Sequence, residues 1–525
     1  MIRQIIKDLV SKICLDFLAK NQKLELKVEK PPRPEFGDYA LELYFIAKGK
    51  KERFSSDKCL KIVKQIRNSP KFSQYFNRVE FKEPVFFNFF LNETWLKGQL
   101  NEVLTKKDKF GGIKIGKNKK VQVEFISANP TGPLTIGNTR GGPFGDTLAN
   151  VLSKSGFKVI RAYYVNDYGM QILALGHSVL KDKEAKYKGE YINELSKKVK
   201  AKDPFKVGQK AAGIILSMIK KTVKRLGIKY DQWFFESELH KSGKVDRVLK
   251  ILKKKGLVYQ KEGATWFKSS KLKDERDRVL IKKDGFKTYL AGDIAYHYYK
   301  FKKQGFDKVI NVWGADHFGD VPGLIAGVEA IGYKGKLEVI LHQFITLLEG
   351  GEKKKMSKRQ GVYVTMDELI DQVGSDVIRF FFLQKSINTH LNFDLALAKE
   401  QSEKNPVYYI QYAHARISSI IRNAKKIKIK KPDYQKLNHP SEINLIKQII
   451  RFPEIVEDTS KDYQVQRIAQ YALDLATVFH QFYRDCRVIS DDQELTQARL
   501  SLVIATRTVL KNTLDLMGVS SPEKM

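Results

Sequence analysis

Residues 121–180 constrain the fold of this 525-residue chain more than any other segment does. Residues 121–125 alternate between apolar and polar side chains as a strand does, and a loop rich in Gly and Pro follows them. A helical pattern then runs to about Lys154, and a second strand and helix are indicated at 158–165 and 170–180. This β-loop-α-β order predicts a doubly wound α/β sheet of the kind that binds nucleotides.

Patterns outside this segment indicate further domains. An α+β pattern precedes a Lys- and Gly-rich stretch at 106–120, which is typical of a linker. Strands are indicated at 308–313 and 337–342, and helical patterns dominate from about residue 377. We therefore predict an N-terminal α+β domain at 1–105, a linker at 106–120, an α/β domain with helical insertions at 121–385, and a helical domain at 386–525.

The charge of the chain is strongly positive and widely spread. Lys and Arg number 95 against 59 Asp and Glu, a net charge of +36. Residues 1–120 carry +13 and residues 401–525 carry +5, which leaves +18 for the middle of the chain. Such a distribution suits a long polyanion bound across several domains. Lysine-rich solvated surfaces are the alternative interpretation.

Several classes of protein are disfavoured by the sequence. No run approaches the roughly 18 apolar residues of a membrane span, and residues 1–20 lack the apolar block of a secretory signal. Cys14, Cys59 and Cys486 lie far apart with no Cys-x-x-Cys pair, which argues against disulfides and against a protein-bound zinc ion. A cytoplasmic protein that does not engage membranes is the simplest expectation.

The loop at 127–138 joins the first strand to the first helix of the α/β segment. A helix N-terminus presents free N–H groups and the positive end of a dipole, which suits phosphates. Gly137 would let a base or a phosphate approach the backbone closely. An ordinary strand-to-helix connection is the alternative for such a loop.

A run of basic residues at 353–359 is flanked by Gly350, Gly351 and Gly361. Ammonium groups on such a loop can stabilise the charge that develops on a pyrophosphate leaving group. A solvated basic loop is the alternative.

Two further segments carry polar residues that could bind a ligand. Tyr289 and Asp293 are four residues apart, so they share one helical face and could bind a cationic group. Asp316 and His317 follow a predicted strand, at the end where open α/β sheets bind ligands. The alternatives are a capping or core role for Asp293 and a helix-capping role for His317.

These segments, taken in order, resemble the arginyl-tRNA synthetases, which belong to the class I aminoacyl-tRNA synthetases. The resemblance rests on VEFISANPTGPLTIGNTRGG, YYVNDYGMQI, TYLAGDIAYH, VWGADH and KMSKR in the α/β part of the chain. It extends to FGDYALELYFIAK near the N-terminus and to NPVYYIQYAHAR at 405–416. Because several motifs match in register over the whole chain, the resemblance is specific.

The resemblance implies a fold and a reaction. The fold would be a Rossmann-like class I catalytic domain between an N-terminal additional tRNA-binding domain and an all-helical C-terminal anticodon-binding domain. The chain would be an arginine–tRNA ligase that uses ATP with Mg²⁺. Arginyl-adenylate would form first, with tRNA(Arg) required for that step, and the arginyl group would pass to the tRNA 3′ end. A monomer is expected.

The resemblance also implies the site residues. Arginine would be bound by Glu124, Ser127, Asn129, Tyr289 and Asp293. ATP would be bound by Gly137, Asn138, Gly314, Asp316, His317, Lys355, Met356, Ser357 and Lys358. Catalysis would involve Thr135, Gly137, Asn138, Lys355 and Lys358, and the anticodon would be contacted by Tyr409, Tyr412, Arg416 and Met525. No protein-bound metal is implied.

The chain departs from the family at one motif. The family's His-x-Gly-His is replaced here by Thr135-Ile136-Gly137-Asn138, so both imidazoles are missing. Either Thr135, Asn138, the helix N–H groups and the lysine loop suffice, or the chain binds tRNA without charging it. We favour the first because the arginine pocket, the lysine loop and the anticodon segment are all present. A nucleotidyltransferase or ligase of the same superfold acting on another substrate is the third alternative, and the NPVYYIQYAHAR segment argues against it.

Overall fold

The structure is a computed structural model, and it describes residues 1–353, 364–424 and 432–525. Among these residues, no helix is long and apolar enough to cross a membrane. The chain is mixed α/β, with an antiparallel sheet near the N-terminus, a parallel sheet in the middle and helices toward the C-terminus.

The N-terminal part is an antiparallel sheet covered by helices. The sheet has the order β1-β2-β5-β4, with β3 paired to β2. Residues of β2 alternate between buried and half-buried positions, so one face of the sheet packs against the helices. The elements are α1 (Ile2–Cys14), β1 (Lys23–Glu29), β2 (Tyr39–Ala47), β3 (Lys50–Glu52), α2 (Ser56–Arg67), α3 (Phe72–Tyr75), β4 (Phe76–Lys82), β5 (Phe86–Leu91) and α4 (Glu93–Lys106).

The middle part contains the predicted doubly wound sheet and several insertions. Its first elements are β6 (Lys120–Glu124), α5 (Ile136–Thr139), α6 (Gly141–Lys154), β7 (Lys158–Val165), α7 (Met170–Leu180), α8 (Glu190–Lys198), α9 (Pro204–Arg225), β8 (Gln232–Phe235), α10 (Glu236–Lys241), α11 (Lys244–Lys254), β9 (Val258–Lys261), β10 (Ala264–Phe267) and β11 (Arg278–Ile281). Next come α12 (Tyr289–Lys302), β12 (Lys308–Gly314), α13 (Val321–Ala330), β13 (Leu337–His342), β14 (Ile345–Glu349), β15 (Glu352–Lys353), α14 (Met366–Val373), α15 (Ser375–Leu383), β16 (Leu391–Asp394) and α16 (Leu395–Lys399).

The parallel sheet has the order β13-β12-β6-β7-β8. The chain runs from β6 outward to β7 and β8, and then returns to β12 and β13 on the other side of β6. The carboxyl ends of β6 and β12 therefore flank the point where the direction of winding reverses, and such a crevice is where open α/β sheets bind ligands. This topology confirms the predicted fold class.

The C-terminal part is a bundle of helices. These are α17 (Pro406–Asn423), α18 (Pro440–Ile450), α19 (Phe452–Asp462), α20 (Gln466–Asp485) and α21 (Gln493–Met517). The long α21 packs against α17 and α20 and also reaches α4 and α6, so it contacts all three parts of the chain.

Polar contacts join the N-terminal part to the helical bundle. The Tyr39 hydroxyl donates to Glu454 Oε2 at 3.1 Å, and Arg3 Nη1 lies 2.6 Å from Asp458 Oδ2. Lys447 Nζ lies 2.6 Å from Asp38 Oδ1. The Glu454 side chain is only 2% exposed, whereas Asp458 and Lys447 are partly exposed, so the contacts run from the interior to the surface between the two ends of the chain.

Candidate functional site

The loop after β6 begins with two residues in a left-handed conformation. Ile126 has φ of 64° and Ser127 has φ of 42°, which is unfavourable for residues that carry a Cβ. Ser127 Oγ accepts a hydrogen bond from the Tyr164 N–H of β7 at 3.0 Å, and this bond holds the loop against the sheet. Backbone strain of this kind is concentrated at binding sites. The half-buried Asn129 lies two residues further along this loop.

Three carboxylates meet behind this loop. Glu124 ends β6, Glu236 begins α10, and Asp293 lies one turn into α12. Burial raises the pKa of Asp293 well above its usual range, and the charges of Glu236 and Glu124 push it in the same direction. Among the described residues, no side chain forms an ion pair with Asp293. The site is therefore acidic, and the charge of Lys300, which pairs with Glu124 instead, only partly opposes the rise in the pKa of Asp293.

Glu124, in contrast, has a permanent partner. The fully buried Lys300 donates from Nζ to Glu124 Oε2 at 2.9 Å and lies 3.4 Å from Asn311 Oδ1. Its Nζ also lies 4.1 Å from the centre of the Tyr296 ring. Burial lowers the pKa of Lys300, while Glu124 opposes that shift. One carboxylate of the pocket is thus compensated within the protein and held in place.

His297 links this ion pair to the backbone of α12. Asn311 Nδ2 donates to His297 Nε2 at 3.0 Å, and His297 Nδ1 lies 2.7 Å from the Asp293 carbonyl oxygen. Burial lowers the pKa of His297 well below its usual value. A neutral imidazole that donates from Nδ1 and accepts at Nε2 satisfies both contacts, so it fixes the helix turn that carries Asp293.

Tyr289 lies at the mouth of the acidic pocket. It is the first residue of α12, one turn before Asp293, and 59% of it is exposed. Partial burial raises the pKa of its phenol, and the charge of Glu236 acts in the same direction. The structure therefore brings Glu124, Tyr289 and Asp293 to one pocket, beside the loop of Ser127 and Asn129.

Thr135 and Asn138 close the turn that replaces the His-x-Gly-His motif. Thr135 Oγ1 donates to Asn138 Oδ1 at 2.7 Å, and each side chain accepts from the other residue's backbone N–H at 3.4 Å. These contacts form a capping box at the start of α5, which has only four residues. Gly137 is exposed on this turn, and among the described residues the nearest atom to a Cβ built there is Thr135 Oγ1, at 4.0 Å. The described part of the chain thus leaves space beside Gly137.

The carboxyl end of β12 carries the other residues assigned to ATP. A Cβ on Gly314 would lie 2.3 Å from Asp316 Oδ1, so the exposed Asp316 side chain packs directly over this glycine. Asp316 and His317 are both exposed, with 3.8 Å between His317 Nε2 and Asp316 Oδ2. His317 Nδ1 lies 3.3 Å from Asp320 Oδ2, in the turn before α13.

Arg140 connects the replaced motif to the end of β13. It is fully buried, and Nη1 donates to the carbonyl oxygens of Gln343 at 2.7 Å and Phe344 at 3.0 Å. Nη2 donates to the carbonyl oxygens of Ser386 and Thr389. Burial lowers the pKa of Arg140 to about 10, so the guanidinium remains charged at neutral pH.

The predicted lysine loop lies mostly outside the described residues. This applies to four assigned residues, namely Lys355, Met356, Ser357 and Lys358. Beyond the gap, Thr365 caps α14 and pairs with Thr135 in an antiparallel bridge, and the Met366 N–H donates to the Leu134 carbonyl oxygen at 2.8 Å. The chain that follows the lysine segment is therefore fixed directly beside the replaced motif.

Three of the four residues assigned to tRNA, all on α17, line a cleft between α17 and α20. The cleft has a volume of about 830 Å³ and includes Tyr409, Tyr412, Arg416, His480 and Tyr483. The Arg416 guanidinium lies 4.7 Å from the ring centre of Tyr412 and 4.6 Å from that of Tyr483. The ring centres of Tyr409 and His480 are 4.7 Å apart. Stacking surfaces and a cation thus occur together, as proteins that bind unpaired bases require.

The chain end runs along α17. His414 Nδ1 lies 2.8 Å from the Pro522 carbonyl oxygen, and Arg422 Nη1 donates to the Glu523 carbonyl oxygen at 2.9 Å. The last residue, Met525, is 54% exposed. The tail thus lies on the helix that carries Tyr409, Tyr412 and Arg416.

Sequence reasoning missed several residues of the site. Lys300 had a signal, because Asp293, His297 and Lys300 follow one another at helical spacings of four and three. Arg140 gave no comparable signal, since its partners are distant in sequence. The effect of Glu236 on Asp293 likewise joins residues that are distant in sequence. Within the described ranges, no group of three or more His, Cys, Asp or Glu side chains is arranged to hold a metal ion.

Three family models match the chain and together cover most of it. The arginyl-tRNA synthetase N-terminal domain matches residues 1–91, and the DALR anticodon-binding domain matches residues 410–525. The catalytic domain of class I tRNA synthetases (R) matches residues 99–203 and 181–381.

Curated relatives match along nearly the whole chain. An arginine–tRNA ligase of Carboxydothermus hydrogenoformans is 41% identical, over 97% of this chain and 96% of the relative. An arginine–tRNA ligase of Bacillus subtilis is 40% identical, over 95% and 94% of the two chains.

Solved structures agree with these relatives. An arginyl-tRNA synthetase structure from Campylobacter jejuni has a TM-score of 0.76 and 35% identity, and covers 83% of this chain and 100% of its own. The Thermus thermophilus arginyl-tRNA synthetase has the same fold, with a TM-score of 0.79 over the full length of both chains at 22% identity. The chain therefore belongs to the arginyl-tRNA synthetases, a family of class I aminoacyl-tRNA ligases.

Proposed function

We propose that the chain activates L-arginine with ATP and transfers the arginyl group to the 3′ end of tRNA(Arg). The observation that carries this proposal is the acidic pocket, in which the Asp293 carboxylate has no ion-pair partner among the described residues. Arginine brings two cationic groups, a guanidinium and an α-amino group. A carboxylate gives the planar guanidinium a charge-assisted hydrogen bond of well-defined geometry.

The proposed contacts divide the substrate between two carboxylates. Asp293 and Tyr289 would bind the guanidinium, while Glu124, Ser127 and Asn129 would bind the α-amino end beside the sheet. Lysine would lack the planar fork and citrulline the charge, so either would leave buried groups of the pocket poorly satisfied. This mismatch accounts for discrimination without a separate editing site.

Activation requires the arginine carboxylate to attack the α-phosphate of ATP in line, with pyrophosphate leaving. We assign the ATP contacts to Gly137, Asn138, Gly314, Asp316 and His317. Lys355, Met356, Ser357 and Lys358 are assigned to the same substrate, and the two lysines would offset charge on the leaving pyrophosphate. Mg²⁺ would arrive as the counter-ion of ATP, because its phosphates provide the oxygen ligands that this ion prefers.

The proposed role of Thr135 and Asn138 follows from their mutual bonds. Because they form the capping box of α5, they would hold the Gly137 turn against the nucleotide.

The alternative of a relative that binds tRNA without charging it is not favoured, since the relatives that match nearly the whole chain are arginine–tRNA ligases.

For the tRNA, we assign the anticodon contacts to Tyr409, Tyr412, Arg416 and Met525. The cleft of about 830 Å³ beside α17 has the size and the stacking surfaces for unpaired bases. We also propose that the protein is a cytoplasmic monomer. Its domains would span residues 1–105, 121–385 and 386–525, with a linker at 106–120 between the first two.

The test of the arginine pocket is Asp293→Asn. We expect kcat/KM for arginine in tRNA charging to fall roughly 10²-fold or more, because a buried charge-assisted bond is lost. Asp491→Asn, at an exposed carboxylate of the helical part, is the matched control. An Asp293→Asn enzyme with the arginine KM and turnover of the wild type would refute the assignment of the pocket.

A further inference from the structure

His342 ends β13 at the carboxyl edge of the parallel sheet. In the sheet register it pairs with Gly314, the last residue of β12. Its side chain is half-buried. An imidazole is therefore present at the edge of the sheet where the ATP contacts are assigned, although sequence reasoning gave it no role.

The ring of His342 lies between the replaced motif and the end of β12. A Cβ built on Gly141, three residues after Asn138, would lie 3.3 Å from His342 Cδ2 and 3.7 Å from Nε2. A Cβ built on Gly314 would lie 3.7 Å from His342 Cε1. The imidazole therefore packs closely against both glycines, beside the first turn of α6 and the end of β12.

The two ring nitrogens of His342 differ in their surroundings. Nδ1 faces the carbonyl oxygen of the neighbouring Gln343 at 3.5 Å, which is at the limit of a hydrogen bond. Among the described residues, no polar atom is hydrogen-bonded to Nε2. The nitrogen on the Gly141 side of the ring is thus available to a ligand.

Charges around His342 make the ring responsive to an anion. Burial lowers its pKa, and Arg140 and His317 act in the same direction, while the Gln343 carbonyl and Asp316 oppose the shift. A polyphosphate bound nearby would add negative charge and raise the pKa again. The protonated ring could then donate from Nε2 while Nδ1 keeps its contact with Gln343.

We propose that His342 donates from Nε2 to a phosphate oxygen of bound ATP and so supplies the imidazole that the Thr135–Asn138 turn lacks. The inference rests on the proposed ATP-dependent activation of arginine. It explains how a site without either motif histidine keeps an imidazole near the reacting phosphates. Loss of one such donor typically costs about 10²–10³ in rate.

The test compares His342→Ala and His342→Gln with the wild type in tRNA-dependent ATP–pyrophosphate exchange. We expect His342→Ala to lower kcat/KM for ATP roughly 10²-fold with an unchanged arginine KM. His342→Gln should retain more activity, because its amide can donate near the position of Nε2. His439→Asn is the control. Position 439 lies outside the assigned nucleotide site, and an asparagine there can still cap α18.

A second measurement separates a nucleotide contact from a structural role. In a chain that carries Thr135→His and Asn138→His, His342→Ala should lower kcat/KM for ATP by a smaller factor than it does in the wild type. His342→Ala activity within twofold of the wild type, or an equal loss for ATP and arginine with a lowered Tm, would overturn the inference. A wild-type chain that charges no tRNA would instead refute the proposed function itself.

Discussion

At the scale of single residues, the two carboxylates Glu124 and Asp293 differ in their partners. Lys300 Nζ lies 2.9 Å from Glu124 Oε2, whereas Asp293 has no ion-pair partner among the described residues. The unpaired carboxylate is costly to bury in the free protein. Under the proposed assignment, arginine binding would remove that cost, so the pocket would favour a cationic substrate.

The raised pKa of Asp293 gives a stability prediction. A carboxyl whose folded pKa lies above its unfolded value binds more protons in the folded state, so stability falls as pH rises from about 4 through the raised pKa. Asp293→Asn should therefore raise the free energy of unfolding at neutral pH, by on the order of 1 kcal/mol. Urea denaturation without arginine measures this change. If wild type and variant differ in free energy of unfolding by the same amount at pH 4 and at pH 7, the account is contradicted.

At the scale of secondary-structure elements, Arg140 holds the start of α6 to two other chain segments. Its guanidinium bonds to carbonyl oxygens after β13 and before β16 without a carboxylate partner among the described residues. The short α5 is closed by a capping box instead. The turn that carries Gly137 is thus fixed at both ends by hydrogen bonds.

Arg140→Lys tests this arrangement. A single ammonium group cannot span the carbonyl oxygens of Gln343 and Ser386 as the guanidinium fork does. We expect the free energy of unfolding to fall by about 1–3 kcal/mol, measured by denaturant titration. Arg484→Lys, at an exposed position of α20, should change it by less than about 0.5 kcal/mol. Equal stability of the Arg140 variant and the wild type would refute the role.

Much of the element pattern could be predicted because it is local. The strand at 158–165 and the helix at 170–180 have the predicted bounds, and β13 matches the prediction of 337–342. Hydrophobic periodicity and the flanking glycines determine such segments. The short strands of the sheet β11-β10-β9 carry too few residues for a clear period, so the sequence does not predict them.

The candidate site was predictable only in part. Asp293 and Tyr289 were singled out because both lie on one helical face. The ion pair of Lys300 with Glu124 joins residues 176 positions apart, and the bonds of Arg140 reach more than 200 positions along the chain. Contacts of this kind depend on strand order and packing, which no local pattern in one sequence encodes.

At the scale of the whole molecule, Arg379 of α15 joins α6, the helix behind the proposed nucleotide site, to the helical bundle. It donates to Asp146 Oδ2 of α6 at 2.6 Å and to the carbonyl oxygen of Met517 of α21 at 2.6 Å. A third bond reaches the Leu226 carbonyl oxygen at 2.8 Å. The same α21 packs against α17, which carries the assigned anticodon residues. A continuous set of packed helices therefore connects the two sites.

The net charge of +36 predicts that salt changes the KM for tRNA more than the KM for arginine. Binding of a polyanion releases counter-ions, so the KM for tRNA should rise steeply, by at least about tenfold, between 50 and 200 mM KCl. Arginine enters a buried pocket that salt screens weakly, so its KM should change less than about twofold. Steady-state charging at several salt concentrations measures both. A tRNA KM independent of salt would show that the distributed charge does not serve tRNA binding.

The central claim is that this chain ligates arginine to tRNA although both motif histidines are absent. The most direct measurement is charging of total tRNA by the purified chain with ATP, Mg²⁺ and labelled amino acid. The account predicts that arginyl-tRNA accumulates and that lysine and glutamine give no product. Tight tRNA binding without any arginyl-tRNA would contradict it.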